Sequence, residues 1–457
     1  MRSVPLPSRD RRPATRPSHG DSTLAPRAAV VALLAAMTAA PIGAQEGQRA
    51  PTSVERACTL RAETPQRVIL PDGAAVSIDA TDMAINDGEV LVAGTPTHVW
   101  PKENARPATH PSAIGVLRDA RGRFHLVPSP YPTTRVWYPR VASAGARGWH
   151  LLFVTGTEGA PGDAVAFRQA EIWYGRYDGR RWHDVQLVAR ARSALLDGVV
   201  SSWLRYDGDS LAFAYPFDRA MEMRSNASSN QGIVLLRRRS GGWRADTLPT
   251  WRGPRAVELA ADGGGRLTAF IAQEGFEEGR VRPLSLYQAR FDGRWRAPRL
   301  LERADPLTVH SPIVATNGAR RVLTWRQSTG DPSIVDYRIG VIDGGDSLTH
   351  LGSIAARNAI DTPALVRIAS DRALLLARDG QARDRMRALL VRGRATQDLG
   401  VVELPLQNFT LVAAATSDDR VLVATGALGA RPEDPLASTL LTAIAVRCPA
   451  AAASVRR

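Results

Sequence analysis

The sequence predicts an all-β protein: a seven-bladed β-propeller of four-stranded blades, closed by pairing of the N-terminal strand into the last blade. Three observations carry that expectation. Short apolar runs ending in Asp, Asn or Gly turns recur at intervals of roughly fifty to sixty residues. A second turn follows the first in most of these units. No long amphipathic helical pattern interrupts the series.

The first turns fall at Gly88, Gly148, Gly208, Gly263, Gly318, Asp371 and Asp419, and the second at Gly122, Gly179, Gly242, Gly293, Gly344 and Gly393. Each is flanked on both sides by short runs of β-forming residues, as hairpins require. Two hairpins make four strands per unit, and the first turns count seven units. Four-stranded sheets repeated about an axis protect most of their edges, which is why such a series closes into a ring rather than a row.

The ends of the chain explain the closure. The seventh unit offers only three strands within 411–448: LVAAATS, RVLVATG and TLLTAIAVRC. The segment 57–71, before the first unit begins, holds a spare one. Pairing it into the last blade sets Cys58 beside Cys448, the only two cysteines, on neighbouring strands where a disulfide can form. Two such distant cysteines support no metal site. The eight histidines show no H-x-x-x-H or H-E-x-x-H spacing, so neither a metal nor a cofactor is expected.

Residues 1–44 read as a signal peptide. Arg9, Arg11, Arg12, Arg16 and Arg27 precede the apolar run AAVVALLAAMTAA, and Ile42-Gly43-Ala44 provides small residues for cleavage. The run falls short of the roughly 20 residues that span a bilayer, so no membrane span is expected. Residues 45–56 then form a flexible mature N-terminus, 57–450 a single propeller domain and 451–457 a flexible tail. A periplasmic or secreted location follows, and an oxidising compartment suits the disulfide.

The formal charge of +14 raises the question of nucleic acid. Lys102 is the only lysine, and the arginines are scattered, with Arg237-Arg238-Arg239 the longest run. That is no phosphate-tracking stripe, and nucleic acid is set aside as a partner.

One motif tests the fold directly. Gly345-Asp346-Ser347-Leu348 matches the letters that head a family of serine esterases and lipases. In that family the motif lies near the N-terminus, where a strand leads into a helix. Here it sits in a second hairpin turn, and it recurs as Gly208-Asp209-Ser210-Leu211 in a first hairpin turn. Asp, Gly and Ser are good turn formers. Ser347 is read as a turn residue, not a nucleophile.

The units share a finer signature. Proline enters the first strand in Tyr138-Pro139-Arg140-Val141, Gly253-Pro254-Arg255-Ala256, Ser311-Pro312-Ile313-Val314 and Thr362-Pro363-Ala364-Leu365, and Phe124, Trp182, Trp243 and Trp295 follow second turns. With residues 312–325 (PIVATNGARRVLTW) and 287–298 (YQARFDGRWRAP), this resembles the sialidase-like superfamily of propellers with BNR-type repeats. The resemblance implies a propeller and raises a glycoside hydrolase activity. In the sialidases, three arginines hold the substrate carboxylate, a Tyr with a Glu partner is the nucleophile, and an Asp is the acid. This chain departs from them in three ways: Asp178-Gly179 and Asp292-Gly293 are adjacent where the family spaces them, seven units replace six, and no motif places the catalytic set. Arg338 after Tyr337 is the only suggestive pair. The aromatics after the turns read first as packing between blades.

Ligands of propellers meet the loops that join blade to blade and second strand to third, which share one face around the channel. The candidates entering first strands there are Arg135, Trp137, Arg140, Trp251, Arg255, His310 and Asp361. Arginine beside tryptophan suits a carboxylate- or sugar-bearing ligand through forked hydrogen bonds and stacking. The competing reading of each is a solvated or inter-blade residue. The least repetitive segments, 94–112 and 214–232, are read as long recognition loops, and Glu274, Glu277 and Glu278 as a solvated loop cluster. The expected function is an exported propeller acting as a non-catalytic binding or scaffold module for a protein or carbohydrate ligand. The alternative is a sialidase-like glycoside hydrolase. The oligomeric state is left open.

Overall fold

A computed structural model of the protein describes residues 57–449, apart from 101–112, 132–135, 159–166, 192–200, 207, 218–231, 251–253, 278–279, 304–308, 318–319, 329–330, 332–333, 358–362, 380–384, 405–409 and 427–437. The expected signal peptide, the mature N-terminus up to residue 56 and the tail 451–457 lie outside the described residues.

The alternating runs and turns fold into seven sheets. Blades 1 to 6 occupy 75–128, 137–191, 202–249, 254–302, 309–357 and 364–403, each an antiparallel meander in which successive strands pair. Blade 7 takes Thr410–Ser417, Arg420–Gly426 and Leu440–Arg447, and Thr59–Ala62 pairs with the last of these. Its register runs from Thr59↔Arg447 to Ala62↔Ile444, and Gln66–Arg67 pairs further along the same strand. First strands touch first strands in a closed cycle, that of blade 7 against that of blade 1, so they form the inner wall of the ring. Among the described residues, no helix is long and apolar enough to cross a membrane.

Cys58 and Cys448 are joined by a disulfide with Cα atoms 4.2 Å apart. The bridge continues the register one step beyond Thr59↔Arg447, at the close spacing of a directly opposed pair that exchanges no backbone hydrogen bonds.

The core is laid between blades rather than within one. Leu374, Leu376 and Leu390 of blade 6 pack against Val421 and Ile444 of blade 7. The aromatic after the second turn reaches back to the preceding blade. Phe124 joins a cluster with Leu422 and Leu441 of blade 7. The Trp182 indole N–H donates to the Pro128 carbonyl of blade 1 at 2.8 Å. Trp243 meets Tyr174 of blade 2 edge-on at 5.6 Å. These rings are inter-blade pins, each burying area worth about 2–3 kcal/mol.

Several boundaries differ from expectation. The first turn of blade 4 is Gly264–Gly265, both with positive φ, and Gly263 ends the strand before it. The second turn of blade 3 is Ser240–Gly241, and Gly242 opens the fourth strand. In blade 2 a short 3-10 turn, Gly145–Arg147, precedes Gly148, whose φ is +92° and where a Cβ would lie 2.3 Å from the Tyr177 carbonyl oxygen. Gly318 lies outside the described residues. The stretch expected as a loop from 94 is strand as far as Trp100, and that expected from 214 is strand as far as Phe217. Glu274 and Glu277 belong to a strand, where Glu277 pairs with Arg280, so this hairpin is longer than its turn residues suggested. In each case strand pairing carries on past the point where the alternation of apolar residues fades.

Candidate functional site

The inner wall is built from short, mainly apolar strands, AVSIDATDMAIN, WYPRVAS, SWLRY and PRAVELAADG. Against that background Asp82 in blade 1, Arg140 in blade 2, Ser202 in blade 3 and Glu258 in blade 4 stand out. The structure brings them into one electrostatic cluster across the first four blades.

Arg140 spans three of those blades. Its Nη1 donates to the Thr81 carbonyl at 2.8 Å and its Nη2 to the Ser201 carbonyl at 3.3 Å. Asp82 is held from both sides: Oδ2 accepts the Val141 N–H and Oδ1 the Met83 N–H, each at 2.9 Å. The Thr81 hydroxyl donates to the Pro139 carbonyl at 2.5 Å. In blade 3 the Ser202 hydroxyl oxygen accepts the Leu259 N–H at 2.9 Å, and the hydroxyl also hydrogen-bonds the Glu258 carboxyl.

Burial decides the charge states. Removal from water pushes the Glu258 carboxyl up to about 8, against the opposing pull of Ser202 and Arg140, while the Asp82 carboxylate adds a further upward push. Burial also raises Asp82, and Arg140 with the two backbone N–H groups works against it. At neutral pH Glu258 therefore keeps its proton. Among the described residues, the charged groups acting on Glu258 are Arg140 and Asp82.

The expected contact residues divide into two groups. Arg135, Trp251 and Asp361 lie outside the described residues. Trp137, Arg140, Arg255 and His310 stand near the loop-face ends of the first strands of blades 2, 4 and 5. Trp137 packs against the cluster that includes Phe213 and Tyr215 of blade 3. Next to it Tyr138 has φ +46°, within a register shift between Trp137 and Arg140. The shift breaks the two-residue alternation that would otherwise set the facing of Arg140. Arg255 is exposed. His310 is placed by its backbone pairing with Arg326. Of the four that are described, Arg140 is the one in the cluster. Asp82 and Glu258 were missed, though carboxylates inside mainly apolar inner strands are a readable signal.

Tyr337 lies in the packing between blades 5 and 6 and is 5% exposed. The two G-D-S-L turns are engaged in ion pairs: Asp346 with Arg290 and, at 3.4 Å, Arg299; Asp209 with Arg147 and, at 3.1 Å, Arg205. Ser347 is exposed on its hairpin. Among the described residues, no group of three or more His, Cys, Asp or Glu side chains is gathered as a metal site.

The fold thus defines a seven-bladed β-propeller whose last blade is completed by the N-terminal strand. Neither a protein-family model nor a curated protein matches the sequence. Among solved structures the chain is similar to the PQQ-bound aldose sugar dehydrogenase of Streptomyces coelicolor, with 14% identity, 86% of this chain and 99% of that one covered, and a TM-score of 0.43. It is also similar to the β-propeller domain of the trilobed protease from Pyrococcus furiosus, with 9% identity, coverage of 77% and 90%, and a TM-score of 0.42. A third similarity is to Trypanosoma rangeli sialidase in complex with sialic acid, with 12% identity, 83% of this chain, 59% of that one and a TM-score of 0.40.

Proposed function

We propose that the chain is an exported propeller that binds a protein or glycan on its loop face and performs no chemistry there. The supporting observation is that the inner-wall charges are already spent on the frame. Both Asp82 oxygens accept backbone N–H groups, and the Arg140 guanidinium bridges carbonyls of blades 1 and 3. A nucleophilic carboxylate or a carboxylate-clamping arginine needs those same atoms for its substrate. Contact falls in this reading to the entrance residues Arg135, Trp137, Trp251, Arg255, His310 and Asp361, while Arg140, first expected among them, is held in the frame. Export rests on the signal-like segment 1–44 and on a disulfide that an oxidising compartment preserves. The proline-led strands and the aromatics that follow the second turns support kinship with the sialidase-like superfamily through degenerate BNR-type blades. A glycan array probed with the mature protein, paired with a fluorogenic glycoside panel, tests the proposal. Saturable binding weakened by Arg255→Ala without turnover supports it, and turnover of any glycoside overturns it.

A second reading, a sialidase-like glycoside hydrolase, draws on a different observation. Glu258 carries a proton at neutral pH beside a second carboxyl and an arginine, which is the disposition of a general acid with a companion carboxylate. In that reading Glu258→Gln abolishes any glycosidase activity found in the panel and leaves glycan binding in place.

A further inference from the structure

On the opposite face, where the hairpin turns lie, an open cleft separates blades 5 and 6. Its floor is apolar: Ala315 and Val322 from blade 5, Ala369 and Ala373 from blade 6. Its rim carries three arginines from three different strands, Arg320, Arg367 and Arg372, with Thr316 beside them. Two more arginines stand at its edge through the carboxylates they share. Asp343 meets Arg320 at 3.4 Å and Arg394 at 2.8 Å, and Asp371 meets Arg372 at 3.6 Å and Arg392 at 3.4 Å.

The charges do not balance. Among the described residues, five guanidinium groups face two carboxylates, and each carboxylate is already divided between two arginines. Arg367 has no carboxylate partner among the described residues. Its Nη1 donates to the Thr316 carbonyl at 3.3 Å, and the side chain is exposed. Arg320 adds a bond to the Gly393 carbonyl, which fixes its guanidinium at the edge of the cleft. An excess of positive charge over an apolar floor, with forked donors held in place, is the condition under which an oxyanion binds by charge-assisted hydrogen bonds.

We infer that the cleft between blades 5 and 6 is a binding site for an oxyanion, the phosphate of a phosphorylated sugar or the carboxylate of a uronate, with Arg367 as its principal ligand. The site lies across the ring from the loop face and does not depend on what binds there.

The test is calorimetric titration of the mature protein with inorganic phosphate and, separately, with glucuronate, at constant ionic strength because exposed charges are screened. Saturable binding of one probe at one site per chain is expected, and the responding probe identifies the source of the anion. Arg367→Gln weakens that binding by about tenfold or more, as loss of a charge-assisted fork requires, and Arg367→Lys recovers part of it. Arg180→Gln, an exposed arginine on the blade 2 turn, leaves it unchanged. No saturation with either probe, or equal losses in Arg367→Gln and Arg180→Gln, overturns the proposal; the second result shows diffuse attraction to a basic surface. Unchanged thermal unfolding of Arg367→Gln confirms that the loss is not one of folding.

Discussion

The Gln397 side-chain amide grips the backbone of Cys58 from both sides: Oε1 accepts the Cys58 N–H at 3.1 Å, and Nε2 donates to the Cys58 carbonyl at 2.9 Å. Gln397 sits on the outer strand of blade 6, and Cys58 immediately precedes the strand that completes blade 7. One side chain thus supplies the two backbone partners that a directly opposed disulfide pair does not exchange within its own sheet. Gln397→Ala leaves both groups to water and costs about 1–2 kcal/mol of stability. Denaturant unfolding checks the value, and faster amide exchange confined to the N-terminal strand checks the location.

Reducing the Cys58–Cys448 bridge opens a loop of 390 residues. On the chain-entropy account that bridge contributes up to about 6 kcal/mol, which for a domain of this size corresponds to a fall in Tm on the order of 5 °C. Thermal scans of the mature protein with and without reductant, and of the Cys58→Ser/Cys448→Ser variant, measure it. An unchanged Tm in both would show that the ring is closed by strand pairing alone.

Glu258 gives stability a pH dependence whose sign is fixed. Its ordinary value of 4.5 applies to the unfolded chain, and burial raises the folded one to about 8. Between these the folded chain holds the extra proton, so stability is greatest below the lower value and is lost as pH rises through the interval. Glu258→Gln removes that slope and gains at least about 1 kcal/mol over the parent between pH 5 and pH 8. Urea midpoints at the two pH values decide it; parallel pH profiles for both chains would refute the assignment.

Blades 4 and 5 are tied by a buried ion pair. Arg321, 3% exposed, donates Nη2 to the Asp262 Oδ1 at 2.6 Å, and the Thr268 hydroxyl donates to the other oxygen at 2.6 Å. Removing only the carboxylate strands a buried guanidinium. Asp262→Ala therefore costs about 3–5 kcal/mol, and Asp262→Ala with Arg321→Leu recovers a large part of it. A double-mutant cycle in denaturant reads the coupling.

Much of the fold was legible because hairpin turns are local. Gly88, Gly122, Gly179 and Gly393 all take the positive φ their turn positions imply. The misplaced turns, Gly263 for Gly264–Gly265 and Gly242 for Ser240–Gly241, arise where adjacent glycines and serines each suit the bend and the strand register chooses between them. Strand ends such as Trp100 and Glu277 were misread as loops because backbone pairing with a neighbour holds residues with no apolar alternation of their own.

The candidate site divides in the same way. Arg140 was visible as a cation entering an inner strand; that it joins Asp82 and Glu258 was not. By itself the sequence determined the number of blades, the strands within each and the partner of the N-terminal strand, since these follow from residues within a hairpin's reach and from one spare strand. Only the tertiary structure decided which charges meet at the inner wall, which arginines crowd the cleft between blades 5 and 6, and that Gln397 holds Cys58. Those contacts join residues of different blades, and ring closure, which brings them together, leaves no mark on the residues next to any of them in the chain.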